Sequence, residues 1–317
     1  MTIRLASPSP ITTETVALSG VSFSDLRAHG DSLYFCSRDP KNSGRASVKS
    51  INNSGKVTQH TLMEANVRSA VHEYGGGSFV VTGEGVIYTD FPSHTLYWAK
   101  ESCESEPMVL YQHENHRFAD FSVIDTSPSL LLAIMEDHTD PVPSQVKNSI
   151  VTISLDGKGT LTTLASGLDF YACPRLQGDK LAYIAWSHPN MPWDHTTLFV
   201  QMLDTDMKPV GDPVDIHGGN SSVAEPRWTP QGTLLFLSDM NGWYNLYEYD
   251  EETVVALCPK EADFCSGGQG WVLGLSPYTI MPDGTVVTAY TDKEGSKLCL
   301  ITRGSPTKVQ EFGRCEM

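Results

Sequence analysis

The sequence predicts an all-β fold, a six-bladed β-propeller with four-stranded antiparallel blades, and three observations carry that expectation. Runs of β-branched and aromatic residues alternate with Gly, Pro, Asn and Asp punctuation along the whole chain. Patterns with the helical period are scarce. A turn followed by two strands recurs every 50 residues or so, roughly the period that marks propeller blades.

The copies can be followed in chain order. Gly30-Asp31-Ser32-Leu33-Tyr34-Phe35 and Gly85-Val86-Ile87-Tyr88 mark the first two. The next strong turn comes only at Gly178, and Ser129-Leu130-Leu131-Leu132-Ala133-Ile134 fills the double gap as a hidden third copy. Gly178-Asp179-Lys180-Leu181-Ala182-Tyr183, leading to Leu198-Phe199-Val200, is the fourth. Gln231-Gly232-Thr233-Leu234-Leu235-Phe236, leading to Leu246-Tyr247-Glu248-Tyr249, is the fifth. Asp283-Gly284-Thr285-Val286-Val287, leading to Leu298-Cys299-Leu300, is the sixth. Coupled repeats of this kind make residues 1–317 one domain. A propeller commonly closes its ring with an N-terminal strand, and Thr13-Glu14-Thr15-Val16-Ala17-Leu18 is expected to supply it to the last blade. A seven-bladed ring is the alternative if residues 1–60 divide differently.

The formal net charge of -16 argues against a nucleic-acid partner, whose phosphates such a field repels. A neutral, cationic or partly apolar ligand is expected instead. No run of about 18 apolar residues predicts a membrane span, and the N-terminus lacks the apolar core of a secretory signal. The 7 cysteines include no Cys-x-x-Cys pair and read as reduced packing residues of a cytoplasmic protein, with Cys258 and Cys265 the pair that oxidation would join. No metal-type ligand spacing and no Gly-rich phosphate loop occurs, so neither metal nor cofactor is expected.

Several segments resemble the propeller half of the prolyl oligopeptidase/acylaminoacyl-peptidase family. They include Val71-His72-Glu73-Tyr74-Gly75-Gly76-Gly77, Arg117-Phe118-Ala119-Asp120 and Asp169-Phe170-Tyr171-Ala172-Cys173-Pro174-Arg175. The most specific piece is His188-Pro189-Asn190-Met191-Pro192-Trp193-Asp194, and Ser238-Asp239-Met240-Asn241-Gly242-Trp243-Tyr244-Asn245 adds to it. The resemblance implies a propeller followed by an α/β-hydrolase with a Gly-x-Ser-x-Gly elbow. No such elbow occurs here, and nothing in the sequence follows Met317. Gly274-Leu275-Ser276-Pro277-Tyr278 comes nearest, but its proline would remove an N–H that an oxyanion hole needs. Serine-peptidase activity is therefore not expected.

Residues at the start of each blade's first strand converge near one mouth of a propeller channel. That position collects His72, Glu73, Tyr74, Arg117, Phe118, Asp120, Phe170, Tyr171, Glu225 and Trp271, and the 187–196 loop adds His188, Trp193 and Asp194. Acids, an arginine, imidazoles and aromatic rings together suit a small-molecule pocket. Glu73, desolvated among Tyr74, Phe170 and Trp271, is the expected acid or base, with Arg117 and His188 beside it as catalytic candidates. The alternative for Glu73 and Arg117 is a structural ion pair. The triple glycine is read as a backbone that crowds the channel. His94 and His138 fall in loops and read as solvated.

The function expected from these features is a non-hydrolytic enzyme acting on a small organic molecule in the central channel, of isomerase, cyclase or lyase type. A non-catalytic propeller that binds a peptide or protein at the channel face is one alternative. The propeller part of a split peptidase is the other.

Overall fold

The computed structural model describes residues 11–18, 20–100, 103, 105–124, 129–265, 271–304 and 307–314. Six four-stranded antiparallel sheets follow one another along the chain, at residues 22–59, 79–111, 116–166, 170–218, 223–256 and 278–314. We call them blades 1 to 6. Within each sheet the strand order is the chain order. The repeated turn of the sequence joins the first strand of a blade to its second. At Gly178, for example, φ is 59°, a region glycine enters without a Cβ clash, and Phe170–Gln177 folds back onto Lys180–Trp186. First strands of blades 1 to 5 touch in succession, which places them around a central channel. No helix among the described residues is long and apolar enough to cross a membrane.

The first strands share one irregularity. In blades 1, 3, 4 and 5 the pairing slips at Ser24/Arg27, after Ala119, at Ala172/Arg175 and at Ala224/Arg227. A non-glycine residue sits there at positive φ: Asp25 (53°), Asp120 (53°), Cys173 (53°) and Glu225 (50°). Gly77 (54°) and Gly274 (73°) take the corresponding place just ahead of the first strands of blades 2 and 6. Left-handed backbone at a side chain with a Cβ costs on the order of 1–3 kcal/mol. A circle of bonds offsets it. Asp25 Oδ1 accepts from the Gly77 N–H (3.2 Å), and Gly77 O accepts from the Asp120 N–H (2.9 Å). Asp120 Oδ2 accepts from the Cys173 N–H (3.1 Å), and Cys173 Sγ donates to Glu225 Oε1 (3.6 Å). The Tyr278 hydroxyl then donates to Glu225 O (2.6 Å), and Arg27 donates to Gly274 O (3.2 Å). A Cβ on Gly77 would lie 2.8 Å from Asp120 Cα, so only glycine lets these backbones meet.

The expected closing strand is not one. Thr13–Leu18 is a short exposed helix, capped by Thr12, whose Oγ1 accepts from the Thr15 N–H at 3.0 Å. The last blade has no vacancy for it, because Lys308–Arg314 already forms its fourth strand. Five buried apolar clusters weld neighbouring blades. Phe79 and Cys36 meet between blades 1 and 2, Phe118 and Ile87 between 2 and 3, and Tyr171 and Leu132 between 3 and 4. Phe236 and Ile184 meet between blades 4 and 5, and Leu235 and Val286 between 5 and 6. Among the described residues no such cluster joins blade 6 to blade 1. Phe23 (65% exposed) and Leu33 on blade 1, and Leu298 and Phe312 (39%) on blade 6, are open instead. Near the channel the Arg27 bond to Gly274 O crosses this seam, and the Leu273 N–H reaches past it to Gly75 O (2.9 Å), on the entry to blade 2.

An open seam makes a direct forecast. Phe236→Ala, at a formed interface, should cost about 3–5 kcal/mol in urea denaturation, while Phe312→Ser should cost less than about 1 kcal/mol. Equal losses would mean that blades 6 and 1 pack in solution.

Candidate functional site

Loops at the mouth where the first strands begin enclose a cavity of about 770 Å³ between blades 2, 3 and 4. Its floor starts with a tight turn before blade 2. Both His72 and Glu73 have positive φ (55° and 64°), and the Glu73 N–H donates to Ala70 O (3.0 Å). This turn sets the half-buried His72 ring 5.3 Å from Phe170 and 5.7 Å from Trp186. The Glu73 side chain stays 80% exposed.

Glu136, near the end of the second strand of blade 3 (Leu130–Asp137), is the buried acid of the site, only 4% exposed. Its Oε1 accepts from the His72 backbone N–H at 2.7 Å. Its Oε2 lies 3.0 Å from His138 Nε2 and 4.0 Å from the Arg117 guanidinium. Arg117 in turn pairs with Glu73 at 3.0 Å. A buried carboxylate loses hydration, and these N–H and cationic partners replace it. The result is one line of contacts, Glu73–Arg117–Glu136–His138.

Three buried polar atoms belong to residues that line this cavity: His72 Nε2 and Asn148 Oδ1, whose side chains interact with each other, and His94 Nδ1, which has no hydrogen-bond partner. Asn148 also donates its amide to Asp169 O (2.8 Å). Each unsatisfied buried group costs about 1–3 kcal/mol, which a suitable ligand would relieve. Burial pushes the His72 pKa down, against the opposing pull of Glu136 and Asn148, and burial likewise lowers that of His94. Both rings are therefore uncharged at neutral pH. The lining carries Glu73, Glu114, Glu136 and Asp169 against Arg117, so it is acid-rich. One wall is aromatic: Phe170 stacks on Trp186 (5.3 Å), and His188 meets Phe170 edge-on (5.0 Å). The His188 loop is tied down by its N–H bond to Asp169 Oδ2 at 2.9 Å.

Of the residues expected from sequence, His72, Glu73, Arg117, Phe170 and His188 gather at this cavity. Glu73 is not the desolvated acid, because its turn directs it outward, and Glu136 takes that position. The expected ion pair of Glu73 with Arg117 is present. Tyr74, Trp193 and Trp271 form a separate cluster, with Trp271 5.3 Å from Tyr74 and 5.5 Å from Trp193, and Tyr74 and Trp271 are exposed. Phe118 and Tyr171 are each 1% exposed and belong to blade interfaces. Asp120 and Glu225 lie deeper, in the channel wall, paired with Arg175 (3.0 Å) and Arg227 (3.3 Å). Asp194 accepts from the Met191 N–H in its own loop (3.0 Å). Glu136, His94, His138 and Asn148 escaped the sequence reading. The signal for Glu136, His138 and Asn148 is the irregular, proline-bearing stretch from Glu136 to Asn148, whose purpose a strand pattern does not explain, and none singles out His94.

No family model and no curated protein sequence matches the chain. Solved structures do. A puromycin hydrolase superposes with a TM-score of 0.86 at 24% identity, covering 96% of this chain and 49% of its own. A Mycobacterium tuberculosis puromycin-hydrolyzing peptidase gives 0.82 at 28% identity, covering 95% and 48%. The chain resembles the propeller of these peptidases. It spans about half their length. Prolyl oligopeptidase B from Galerina marginata shares the fold more distantly, with a TM-score of 0.57 at 13% identity over 90% of this chain and 42% of its own.

Stability should fall in mild acid. Burial lowers the pKa of His60, His72, His94, His116 and His217 from 6.5, so the unfolded chain takes up their protons first. Their contribution is complete above about pH 6.5 and is lost as pH falls through each folded value. Asp25 and Glu225, raised by burial, work the opposite way at lower pH. Urea titrations between pH 8 and 5 should show the decline, and His72→Phe should flatten it. An unchanged slope in that variant would mean that His72 titrates normally.

Proposed function

We propose that the cavity between blades 2, 3 and 4 binds a small organic molecule bearing an apolar ring and a basic nitrogen. The Glu136–His138 pair moves a proton on that molecule, in a rearrangement of isomerase, cyclase or lyase type. The observation that carries this reading is the buried Glu136 carboxylate, bonded to His138 at 3.0 Å in a cavity that also holds the unpartnered His94 Nδ1.

The chemistry follows from the parts. Imidazole is the commonest proton carrier in enzyme sites, and a carboxylate on one ring nitrogen orients it and stabilises its protonated form. Arg117 stabilises negative charge that develops on a ligand oxygen when a carbon-bound proton leaves. Phe170 and its neighbours take the apolar ring, at about 25 cal/mol per Å² removed from water. The acid-rich lining favours a cationic nitrogen, and aromatic faces add to that attraction. Holding a ligand close to its reactive conformer supplies further rate without a nucleophile.

A second reading is a propeller that holds a peptide end without chemistry. It draws on the 28% identity to a puromycin-hydrolyzing peptidase about twice as long. A hydrolase partner encoded elsewhere belongs to this reading.

Small-molecule profiles of the source organism with and without the gene identify the substrate as the compound that accumulates. Purified protein should convert it in the deficient extract. Glu136→Gln and His138→Gln should each lower turnover by about 10²–10⁴-fold with the thermal melt retained, and Glu73→Gln by only a few-fold. Matching profiles, together with saturable binding of puromycin or short peptides, would replace the enzyme reading with the second one.

A further inference from the structure

The strands that begin at the first cavity end at another. From Arg117 or Phe170 the inner strands run roughly 15 Å to the far mouth of the channel. A cavity of about 440 Å³ lies there, lined by residues of blades 3 to 6 that include Arg175, Arg227, Trp228, Ser122 and Thr279. We infer that this far mouth is an anion site for a small carboxylate or phosphate compound with an apolar body.

Charge is the first argument. The described lining of this cavity holds two guanidinium groups and no carboxylate, in a chain of net charge -16. The first cavity, at the other end of the same strands, has the opposite balance.

The second argument is repetition. Ala172-Cys173-Pro174-Arg175 and Ala224-Glu225-Pro226-Arg227 occupy the same bulge in adjacent blades. Left-handed Cys173 and Glu225 each precede a proline, so two consecutive stiff residues set the direction of each arginine. The buried carboxylates engage only part of each guanidinium. Arg175 Nη1 donates to Asp120 Oδ1 (3.0 Å) and Pro174 O (2.9 Å). Arg227 Nη2 donates to Glu225 Oε2 (3.3 Å), while Arg227 Nε is buried without a partner. A guanidinium carries five N–H donors in a planar fork that matches the oxygens of carboxylate and phosphate. The acids on the channel side thus hold the arginines charged and in place, with donors left over.

The wall supplies the rest. The Trp228 indole is fixed by its Nε1–H bond to Arg175 O (2.9 Å), and Leu176 and Ile280 continue an apolar surface. The hydroxyls of Ser122 and Thr279 add donors. A planar oxyanion attached to an apolar body fits this combination, and a large polyanion does not, because the net charge of the chain repels it.

The test is titration calorimetry with inorganic phosphate and with benzoate, in a buffer free of both, with neutral benzamide as the control. Benzoate should bind saturably, and benzamide at least tenfold more weakly. Tighter binding of phosphate would assign the site to phosphate compounds, and tighter binding of benzoate to carboxylates. Thr279→Glu sets an acid in the cavity without disturbing either buried ion pair, and should weaken both anions at least tenfold with an unchanged melt. The double variant Glu225→Gln/Arg227→Gln should do the same without leaving a buried charge unpaired. Equal binding of benzamide and benzoate, no effect of Thr279→Glu, or no saturation by about 10 mM of either anion would overturn the assignment.

Discussion

Backbone handedness at one layer of the channel wall is the constraint on which the rest of this molecule depends. Each first strand must step sideways so that its neighbour can approach. A left-handed residue makes that step: Asp25, Gly77, Asp120, Cys173, Glu225 and Gly274. Such a conformation is unfavourable for a residue with a side chain, so it persists only where other contacts hold it. Here the residues hold one another, each bonding to the next blade through a carboxylate, a thiol or the main chain. Interface clusters such as Phe236 with Ile184 then fill the wedge between blades farther out. The layer sets the width of the channel, and the clusters set its rigidity.

The same layer divides the channel into two chemical environments. On one side the loops bring Glu136, His138, Arg117 and the half-buried His72 to a single cavity. On the other side Arg175 and Arg227 emerge from the bulges toward the far mouth. The buried acids Asp120 and Glu225 lie between and belong to neither cavity, because their oxygens are committed to Arg175, Arg227 and the adjacent strand. Their work is to orient the arginines and to bind blade to blade. A carboxylate in a channel is therefore not by itself a catalytic group, and its bonding partners decide which role it has.

The seam between blades 6 and 1 shows how unevenly this layer and the outer packing are distributed. Near the channel, Arg27 and Gly274 connect the two ends of the ring. Farther out, Phe23 and Leu33 face one side of the gap and Leu298 and Phe312 the other, without a shared core among the described residues. Cohesion across the ends is thus polar and central, whereas between all other neighbours it is apolar and extends outward. The puromycin-hydrolysing peptidases that share this fold are about twice as long.

Local chemistry made much of this legible in advance. The turn glycines, such as Gly178 and Gly284, punctuate strands at a regular period, and alternation within a strand reports which side is buried. Hence the blades and their number could be read from residues a few positions apart, whereas the first strands of blades 2 and 6 begin at Phe79 and Tyr278, seven residues past the expected His72 and Trp271. The triple glycine could be read as a close approach because only a missing Cβ permits one, and Gly77 against Asp120 is such an approach. Thr13–Leu18 could not be assigned correctly from the same rules, because whether a six-residue segment is helix or strand depends on whether a sheet edge is vacant, and Lys308–Arg314 had filled it. The site divided along the same line. Arg117 and Phe170 stood at predictable strand starts, and His72 in a turn ahead of one. Glu136 and His138 did not, since they come from the loop side of a second strand, where Glu136 meets Arg117 and His138 meets Glu136 only through folding. By itself the sequence determined the repeat, the strands and the residue types at the channel, all properties of neighbours in the chain. Only the tertiary structure decided which acid is buried, because desolvation depends on atoms brought close from distant blades.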